Sequence, residues 1–476
     1  MHSHNLRENP VLLFGRVGRE ELPDHLRTEY KVLSLRLGNG RTSVDFNTDV
    51  DALRTLGGSS WNASDFDLLN VMCALRAADR YFVSEDIFRV QRTVPLAVGV
   101  SNRRRWSDLG ESLVQAVRAL SSDVLDFHPV QLPKLPASAR GLPEEKNRAE
   151  LVDLKPDCVC LFSGGVDSFT GAAYLLSKGR RPLLVSHSVG PVSGLQKRLV
   201  NDLSTRFPAF DPRMLVQVHS YPNVNRIRQH AKPSSIYWKQ RESLQRLRST
   251  FFFSIAAIVA NVLEIDEIFM CENGLIGAAI VFAPCDNTPY TPRPAEPHFL
   301  RAIREFLSQA IGRPNLKIRN PFQYMTKGEV VTIADRLGLR KSLYATVSCW
   351  QSGNRGIKNC GRCVPCLFRQ LAFSEAGLPP PQGSFRYRFP IPFGKWRGWK
   401  SQELPRLEDI RRYCNGVLEN GVSWLNANEL AVIDAVDVTG GSPEKAGQNG
   451  ALDAVAPSKM AKVIERFASA TLKRLP

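Results

Sequence analysis

A loop of glycine and hydroxyl residues, with the sequence SGGVDS, follows an apolar run that ends at Phe162. The residues after the loop have the pattern of a helix, so the loop joins a predicted strand to a predicted helix. The amino end of a helix exposes unpaired amide groups and carries a partial positive charge, and glycines let phosphate oxygens approach the backbone. We therefore predict that this loop binds phosphate groups. The residues concerned are Ser163, Gly164, Gly165, Val166, Asp167 and Ser168.

Other phosphate-binding loops do not fit this sequence. The P-loop of nucleoside triphosphatases needs a lysine after its second glycine, and that lysine is missing here. The dinucleotide-binding fingerprint needs three spaced glycines, which are missing as well. What remains is a cradle for pyrophosphate as a leaving group, with Asp167 orienting the loop or holding Mg²⁺. A glycine turn that only starts a helix is the alternative interpretation.

A cluster of cysteines in the second half of the chain has the spacing of a metal site. Ten residues separate Cys349 from Cys360, and a CxxCxxC run continues through Cys363 to Cys366. Four thiolates at such spacing suit tetrahedral zinc in a closed, structural site. An iron–sulfur cluster, a thiol pair for sulfur transfer and unliganded core cysteines are the alternatives.

Short apolar runs alternate with helical patterns through the middle of the chain, which predicts an α/β fold with a parallel, doubly wound sheet. We predict that this unit, residues 150–378, is the catalytic domain and contains the cysteine site. An α+β domain is expected at 1–140 and a mostly helical extension at 380–476. Proline and charged residues predict a linker over 131–156.

Several local patterns in the chain predict individual elements. Alternating residues on either side of a Gly-Asn-Gly turn at Gly38 predict a β-hairpin. Ser64 is expected to cap a helix that continues to Arg80. A long, apolar helix is expected from about Arg241 to Leu263.

The charge of the chain is strongly basic, with 63 lysines and arginines against 46 acidic residues and a formal net charge of +17. Such an excess favours polyanionic partners, so nucleic-acid binding is possible but not required. No apolar run reaches the roughly 18 residues that a membrane span needs, and no signal peptide is recognisable. Together with clustered cysteines, these features predict a cytoplasmic protein without a membrane partner.

The SGGVDS loop resembles the signature of the PP-loop ATP pyrophosphatases. Further segments extend the likeness to the QueC-type 7-cyano-7-deazaguanine synthases, in chain order across residues 157–372. They are the helix segment RSTFFFSIAAIVANVL from Arg248, the segment PFQYMTKGEVV from Pro321, and the ending SCW…NCGRCVPCLFRQLAF from Ser348. The resemblance implies a sheet of the PP-loop, adenine nucleotide alpha hydrolase-like type.

The resemblance also implies the chemistry. ATP, with Mg²⁺, would adenylate the carboxylate of 7-carboxy-7-deazaguanine and release pyrophosphate, after which a nitrogen nucleophile displaces AMP. In the family that nucleophile is ammonia, and a second ATP dehydrates the resulting amide to a nitrile. The four cysteines of the family's ending hold Zn²⁺.

Side chains outside the loop are assigned to the same predicted site. The catalytic candidates are Asp167, Ser168, Arg248 and Lys327, the adenosine candidates are Ser186 and His187, and the substrate candidates are Glu272, Asn273 and Gly274. His187 could equally be a packed residue at a strand end, and each of the two cations could be a surface or helix-capping residue. No general base is identifiable from the sequence; an acyl-adenylate needs only modest help from one.

The sequence departs from the family in two places. Family members carry an Asp-Tyr-Ser-Gly-Tyr-Pro-Asp-Cys stretch, which is only partly recognisable in the segment that begins at Cys271. The resemblance also leaves residues 1 to about 145 and about 380 to 476 uncovered. Such extended chains resemble the QueC-like QatC proteins of the Qat anti-phage system, which implies a partner protein whose amine accepts the deazaguanine. A tRNA-modifying PP-loop enzyme and a nucleotide-binding scaffold or sensor without turnover are the alternatives.

Overall fold

The computed structural model describes sixteen segments of the chain, and every structural statement below refers to them. They are residues 11–14, 19–29, 32–35, 37–38, 46–48, 61–81, 91–132, 151–187, 192–218, 220–222, 245–277, 293–349, 359–361, 364–379, 404–421 and 457–473. The strands are β1 (Val11–Phe14), β2 (Val32–Leu35), β3 (Leu37–Gly38), β4 (Phe46–Thr48), β5 (Thr93–Val100), β6 (Val124–Gln131), β7 (Cys158–Leu161), β8 (Pro182–His187), β9 (Leu215–Val218), β10 (Ser220–Pro222), β11 (Glu267–Phe269) and β12 (Lys317–Arg319). The helices are α1 (Asp24–Glu29), α2 (Ala63–Tyr81), α3 (Arg103–Ser121), α4 (Val166–Ser177), α5 (Val192–Arg206), α6 (Arg248–Val262), α7 (Gly274–Gly277), α8 (Pro297–Ile311), α9 (Lys327–Arg336), α10 (Arg340–Ala345), α11 (Val364–Glu375), α12 (Leu404–Asn420) and α13 (Pro457–Leu472).

The SGGVDS loop leaves the central strand of a five-stranded parallel sheet, whose order is β12-β11-β7-β8-β9. The chain first builds outward from β7 through β8 to β9, and then returns to place β11 and β12 on the other side of β7. The strand order therefore reverses between β7 and β11. In doubly wound sheets, ligands bind beside the carboxyl ends of the strands at such a reversal. The predicted α/β fold of PP-loop type is confirmed.

The N-terminal region has a second parallel sheet, with the order β2-β1-β5-β6. Its helical and strand content was predicted, but the predicted hairpin is wrong. Strand β2 pairs in parallel with β1, in the register Val11↔Val32, and β3 pairs in parallel with β4. The alternating pattern indicated strands correctly, but it could not identify their partners. In a small third sheet, β10 pairs antiparallel with β4.

Two helix boundaries differ from the predictions. Asn62, rather than Ser64, caps α2, because its side-chain oxygen accepts a hydrogen bond from the Asp65 amide at 3.0 Å. The apolar helix α6 begins at Arg248, after a turn at residues 245–247; residues 241–244 lie outside the described residues. Of the predicted linker, residues 131–132 extend β6 and its pairing, and 151–153 are helical.

The N-terminal layer packs directly on the PP-loop layer. Helix α2 packs on α6, and α3 packs on α8, where the rings of Trp106 and Phe306 lie 6.3 Å apart. Below them, the buried carboxylate of Asp123 receives hydrogen bonds from Arg92 at 2.5 Å and from Arg246 at 3.1 Å. This ion network ties the two regions together across one continuous core. The domain boundaries stay a prediction.

The described residues of the C-terminal extension, 404–421 and 457–473, are almost entirely helical, as predicted. Helices α12 and α13 pack against each other, and α13 also contacts the PP-loop layer. Phe467 lies 5.6 Å from the ring of Phe368 on α11, and Arg466 forms an ion pair with Glu329 on α9 at 2.9 Å. Among the described helices, none combines the length and apolar character that crossing a membrane would require.

Candidate functional site

Hydrogen bonds between Ser163 and Ser168 connect the two ends of the SGGVDS loop. The Ser163 and Ser168 hydroxyls lie 3.0 Å apart, and the Ser163 amide donates to the Ser168 hydroxyl at 3.2 Å. Gly164 has a φ of +82°, in the left-handed region that favours glycine. Gly165 is the N-cap of α4 and has no side chain to accept from the first helical amides. The loop therefore presents hydroxyl and amide donors at the amino end of a helix that follows a buried strand.

Asp167 lies in the first turn of α4 and is the centre of a buried polar cluster. The Lys327 ammonium donates to one carboxylate oxygen of Asp167, and the Asn273 side-chain amide donates to the other at 3.2 Å. All three residues are buried, with exposed fractions of 5%, 8% and 1% for Asp167, Lys327 and Asn273. Asp167 and Lys327 lie in the first turns of α4 and α9, and Asn273 lies in the segment between β11 and α7, so the cluster lies at the reversal in strand order. The structure thus brings together three residues that the sequence assigned to one site.

Lys327 is positioned by the amino end of its own helix. Thr326 and Glu329 form a capping box, in which each side chain accepts a hydrogen bond from the other's backbone amide. The Thr326 hydroxyl also donates to Glu375 of α11 at 2.5 Å. A Cβ at Gly328 would lie 2.3 Å from the Glu375 carboxylate, so a larger residue there would displace the Glu375 side chain. Helix α11 therefore fixes the turn that presents Lys327 to Asp167.

Glu272 adds a second carboxyl group to the cluster. The pKa of Glu272 is raised from its ordinary value of 4.5 to about 8, chiefly by loss of hydration and also by the nearby charge of Asp167, while Lys327 opposes the shift. One ammonium group cannot balance two adjacent carboxylates, so Glu272 holds a proton at neutral pH. Such a carboxyl group can accept or donate a proton close to the pH at which proteins work.

We expect the stability of the protein to fall as the pH rises from about 4.5 to about 8. Between these values Glu272 is ionised in the unfolded chain but protonated in the folded protein, so the unfolded state binds fewer protons. Glu272→Gln should remove this part of the pH dependence in urea unfolding. Glu305→Gln, which changes an exposed glutamate of α8, should keep the wild-type dependence. Parallel stability curves for wild type and Glu272→Gln would contradict the assignment.

The adenosine candidates lie at the carboxyl end of β8. The buried Ser186 hydroxyl donates to the Phe162 carbonyl at 2.6 Å, and His187 Nε2 lies 2.7 Å from the Ser220 carbonyl. Arg248 lies on this side as well, since its guanidinium covers the ring of Phe252, 5.0 Å from the centroid, and His187 lies 5.2 Å from the same ring. The two predicted cations therefore lie in different places. Lys327 forms an ion pair with Asp167, whereas Arg248 lies over the ring of Phe252 beside His187.

Gly274 holds the segment after β11 against the segment before α9. Its amide donates to the Met325 carbonyl at 2.8 Å. A Cβ at this position would lie 2.4 Å from the Gln323 carbonyl oxygen, so no larger residue fits without a backbone shift. Its contribution to the site is the close packing that places Asn273 beside Asp167.

The cysteine cluster forms as predicted, as far as it is described. The Sγ atoms of Cys349, Cys360 and Cys366 all lie within 4.8 Å of one another, and the last two are 3.9 Å apart. Two thiolates on one tetrahedral zinc, with bonds of about 2.3 Å, are separated by about 3.8 Å. The Cys360 amide also donates to the Cys349 sulfur at 3.3 Å. The donor set therefore fits a structural zinc; Cys363 lies outside the described residues.

Sequence reasoning missed several buried polar residues that support the site. Gln196 donates to the carbonyls of Ser163 and His187, at 3.3 Å each, and thereby joins the ends of β7 and β8. Arg369 is fully buried and donates to the Thr346 hydroxyl at 2.6 Å; burial lowers its pKa to about 10. Arg369 belongs to the cysteine-rich ending, which was a usable signal. A single glutamine in a helix, such as Gln196, carries no sequence signal of such a role.

The fold and the site define a class of protein: an α/β protein of PP-loop type with a glycine loop between strand and helix and a cluster of three cysteines that could hold a metal. A family model described as "Queuosine biosynthesis protein QueC" matches residues 157–377. A 7-cyano-7-deazaguanine synthase from Picrophilus torridus is 31% identical over 228 residues, 46% of this chain and 87% of the relative. Those from Syntrophobacter fumaroxidans and Thermoplasma volcanium are 28% and 27% identical over 47% and 53% of this chain, and 94% and 98% of the relatives. The chain belongs to the QueC family.

Proposed function

We propose that the protein is an enzyme that uses ATP to activate a carboxylate, releasing pyrophosphate and then AMP. The observation that carries this proposal is the buried cluster of Asp167, Lys327 and Asn273 beside the SGGVDS loop, at the reversal in strand order. A cluster of this kind brings a cation and a metal-binding carboxylate next to a phosphate-binding helix end. All the candidate site residues lie within the part of the chain that the QueC family model matches.

We assign the outer phosphates of ATP to the loop donors. The hydroxyls of Ser163 and Ser168 and the first amides of α4 would bind the departing pyrophosphate, and Ser186 and His187 would flank the adenosine. Asp167 would hold Mg²⁺, which would neutralise charge on the phosphates. Lys327, which pairs with Asp167, would then be free to bind a phosphate or the substrate carboxylate. Arg248 would act on the adenosine side.

The proposed reaction has two bond-forming steps and one proton transfer. A carboxylate oxygen of the substrate attacks the α-phosphorus, and the bond to pyrophosphate breaks. A neutral amine then attacks the acyl carbon, AMP leaves with the former carboxylate oxygen, and the amine loses a proton. We propose the ionised form of Glu272 as the proton acceptor, and this form becomes more abundant as the pH approaches the raised pKa of about 8. Asn273 and Gly274 would complete the substrate side.

We propose 7-carboxy-7-deazaguanine as the acid, because the relatives are 7-cyano-7-deazaguanine synthases. The regions outside 157–377 support an acceptor larger than ammonia. Helix α13 of the C-terminal extension packs on α7, which begins at the substrate candidate Gly274. We therefore propose that the product is an amide with an amine of a partner protein, in anti-phage defence.

The test is incubation of the full chain with ATP, Mg²⁺, 7-carboxy-7-deazaguanine and an ammonium salt as the source of amine, with detection of AMP and pyrophosphate. We expect both products in equal amounts and only when the acid is present. Formation of ADP and phosphate would overturn the proposal, and so would binding of ATP without turnover, which a scaffold would give. The basic charge of +17 favours tRNA as the alternative substrate for adenylation, so a parallel reaction contains tRNA in place of the acid. AMP formed only with tRNA would support that alternative.

A further inference from the structure

The segment that leads into the cysteine cluster lies along the SGGVDS loop. The Val347 amide donates to the Gly164 carbonyl at 3.1 Å, and the Ser348 hydroxyl accepts from the Val166 amide at 3.4 Å. A Cβ at Gly165 would lie 3.6 Å from the same hydroxyl. Val166 opens helix α4, so Ser348 contacts one of the amides that would face the phosphates.

Buried groups from the cysteine-rich region hold this segment in place. The Asn359 side chain accepts from the Ser348 amide at 2.9 Å and donates to the Thr346 carbonyl at 3.2 Å, with only 1% of its surface exposed. Asn359 directly precedes Cys360, and Ser348 directly precedes Cys349. The hydrogen bond between Ser348 and Asn359 therefore joins two residues that each directly precede a proposed metal ligand.

We infer that Ser348 is a positioning residue through which the metal bound by the cysteine cluster sets the geometry of the SGGVDS loop. This inference rests on the proposed function, because the ligand of the loop is ATP. A bound metal fixes Cys349 relative to Cys360, Asn359 then fixes the backbone at Ser348, and Ser348 fixes Val166. Without the metal, Asn359 no longer holds Ser348 in a fixed position, and the loop amides lose the orientation that phosphate binding requires.

The test measures binding of α,β-methylene-ATP, which cannot be cleaved between these phosphates, to the full chain with and without bound metal. Ser348→Ala should raise the Kd about three- to tenfold, the size of one neutral hydrogen bond, with unchanged metal content. Chelation should raise the Kd of the wild type, but it should change the Kd of Ser348→Ala much less. The matched control is Ser177→Ala at the far end of α4, which should behave as the wild type in both states. Equal effects of chelation on both forms would overturn the inference.

A second measurement does not depend on nucleotide. Hydrogen exchange of the amides at 163–168 should accelerate when metal is removed from the wild type, while helix α5 keeps its protection. If this acceleration occurs but the wild type binds no nucleotide, the coupling stands and the proposed function fails. If nucleotide binds while metal removal changes neither exchange nor Kd, the coupling fails and the proposed function stands.

Discussion

Asp167→Asn is expected to reduce the formation of AMP and pyrophosphate by about a hundred- to a thousandfold, the usual loss when one preorganised charged or polar contact to the transition state is removed. The neutral amide keeps the size of the side chain and the contact to Asn273, but it cannot hold Mg²⁺ as a carboxylate does. The measurement is acid-dependent release of AMP. Asp157→Asn, which changes a half-exposed aspartate paired with Arg180, is the control and should retain activity.

Substitution of Lys327, the ion-pair partner of Asp167, distinguishes a loss of catalysis from a loss of stability. Asp167→Asn leaves the Lys327 ammonium in a buried site without its carboxylate, and breaking a buried pair costs about 3–5 kcal/mol. The double variant Asp167→Asn with Lys327→Met removes both charges, so urea unfolding should show that much of the lost stability returns. Its activity should stay as low as that of the single variant. Undiminished AMP release by either variant would exclude this cluster as the site of adenylation.

The sequence predicted the PP-loop sheet because each strand there is a short apolar run between recognisable helix starts and stops. Strand β7, the glycine loop and the capping box at Thr326 all carry local signals that their neighbours in the chain suffice to explain. Strand partners carry no such signal, and β2 pairs with β1 rather than with the next strand along the chain. The buried pair of Arg246 with Asp123 was equally invisible, because it joins residues far apart in sequence.

The candidate site likewise combines residues that the sequence predicts with contacts that only the fold supplies. Asp167 and Lys327 were both predicted, one from the loop and one from the resemblance, but their ion pair spans 160 residues and required the fold. Ser348 and Asn359 act through single hydrogen bonds, and a single polar residue beside a cysteine leaves no periodic pattern. Glu272 was assigned to the substrate, whereas its raised pKa follows from the burial and the neighbouring charge that only the fold supplies.

Cys366→Ser should abolish stoichiometric zinc binding and lower the melting temperature by several degrees. The Cys366 sulfur is fully buried and lies next to those of Cys360 and Cys349, so its loss removes one corner of the site. A serine hydroxyl does not ionise to replace a thiolate. Structural zinc contributes on the order of 10 kcal/mol of binding free energy in isolated zinc-finger peptides, although much of this loss would be local here. The measurement is metal content, for zinc and iron together, beside a thermal melt.

The decisive control asks whether the lost stability belongs to the metal or to packing. Cys414→Ser changes a buried cysteine of α12, so it should cost some packing stability but keep the full zinc content. A chelator should lower the melting temperature of the wild type and of this control to a similar extent, and leave Cys366→Ser unchanged because that variant has no zinc to lose. An equal chelator effect on Cys366→Ser would show that the metal lies elsewhere. Iron in place of zinc would identify an iron–sulfur cluster, since three buried thiols can begin that site as well.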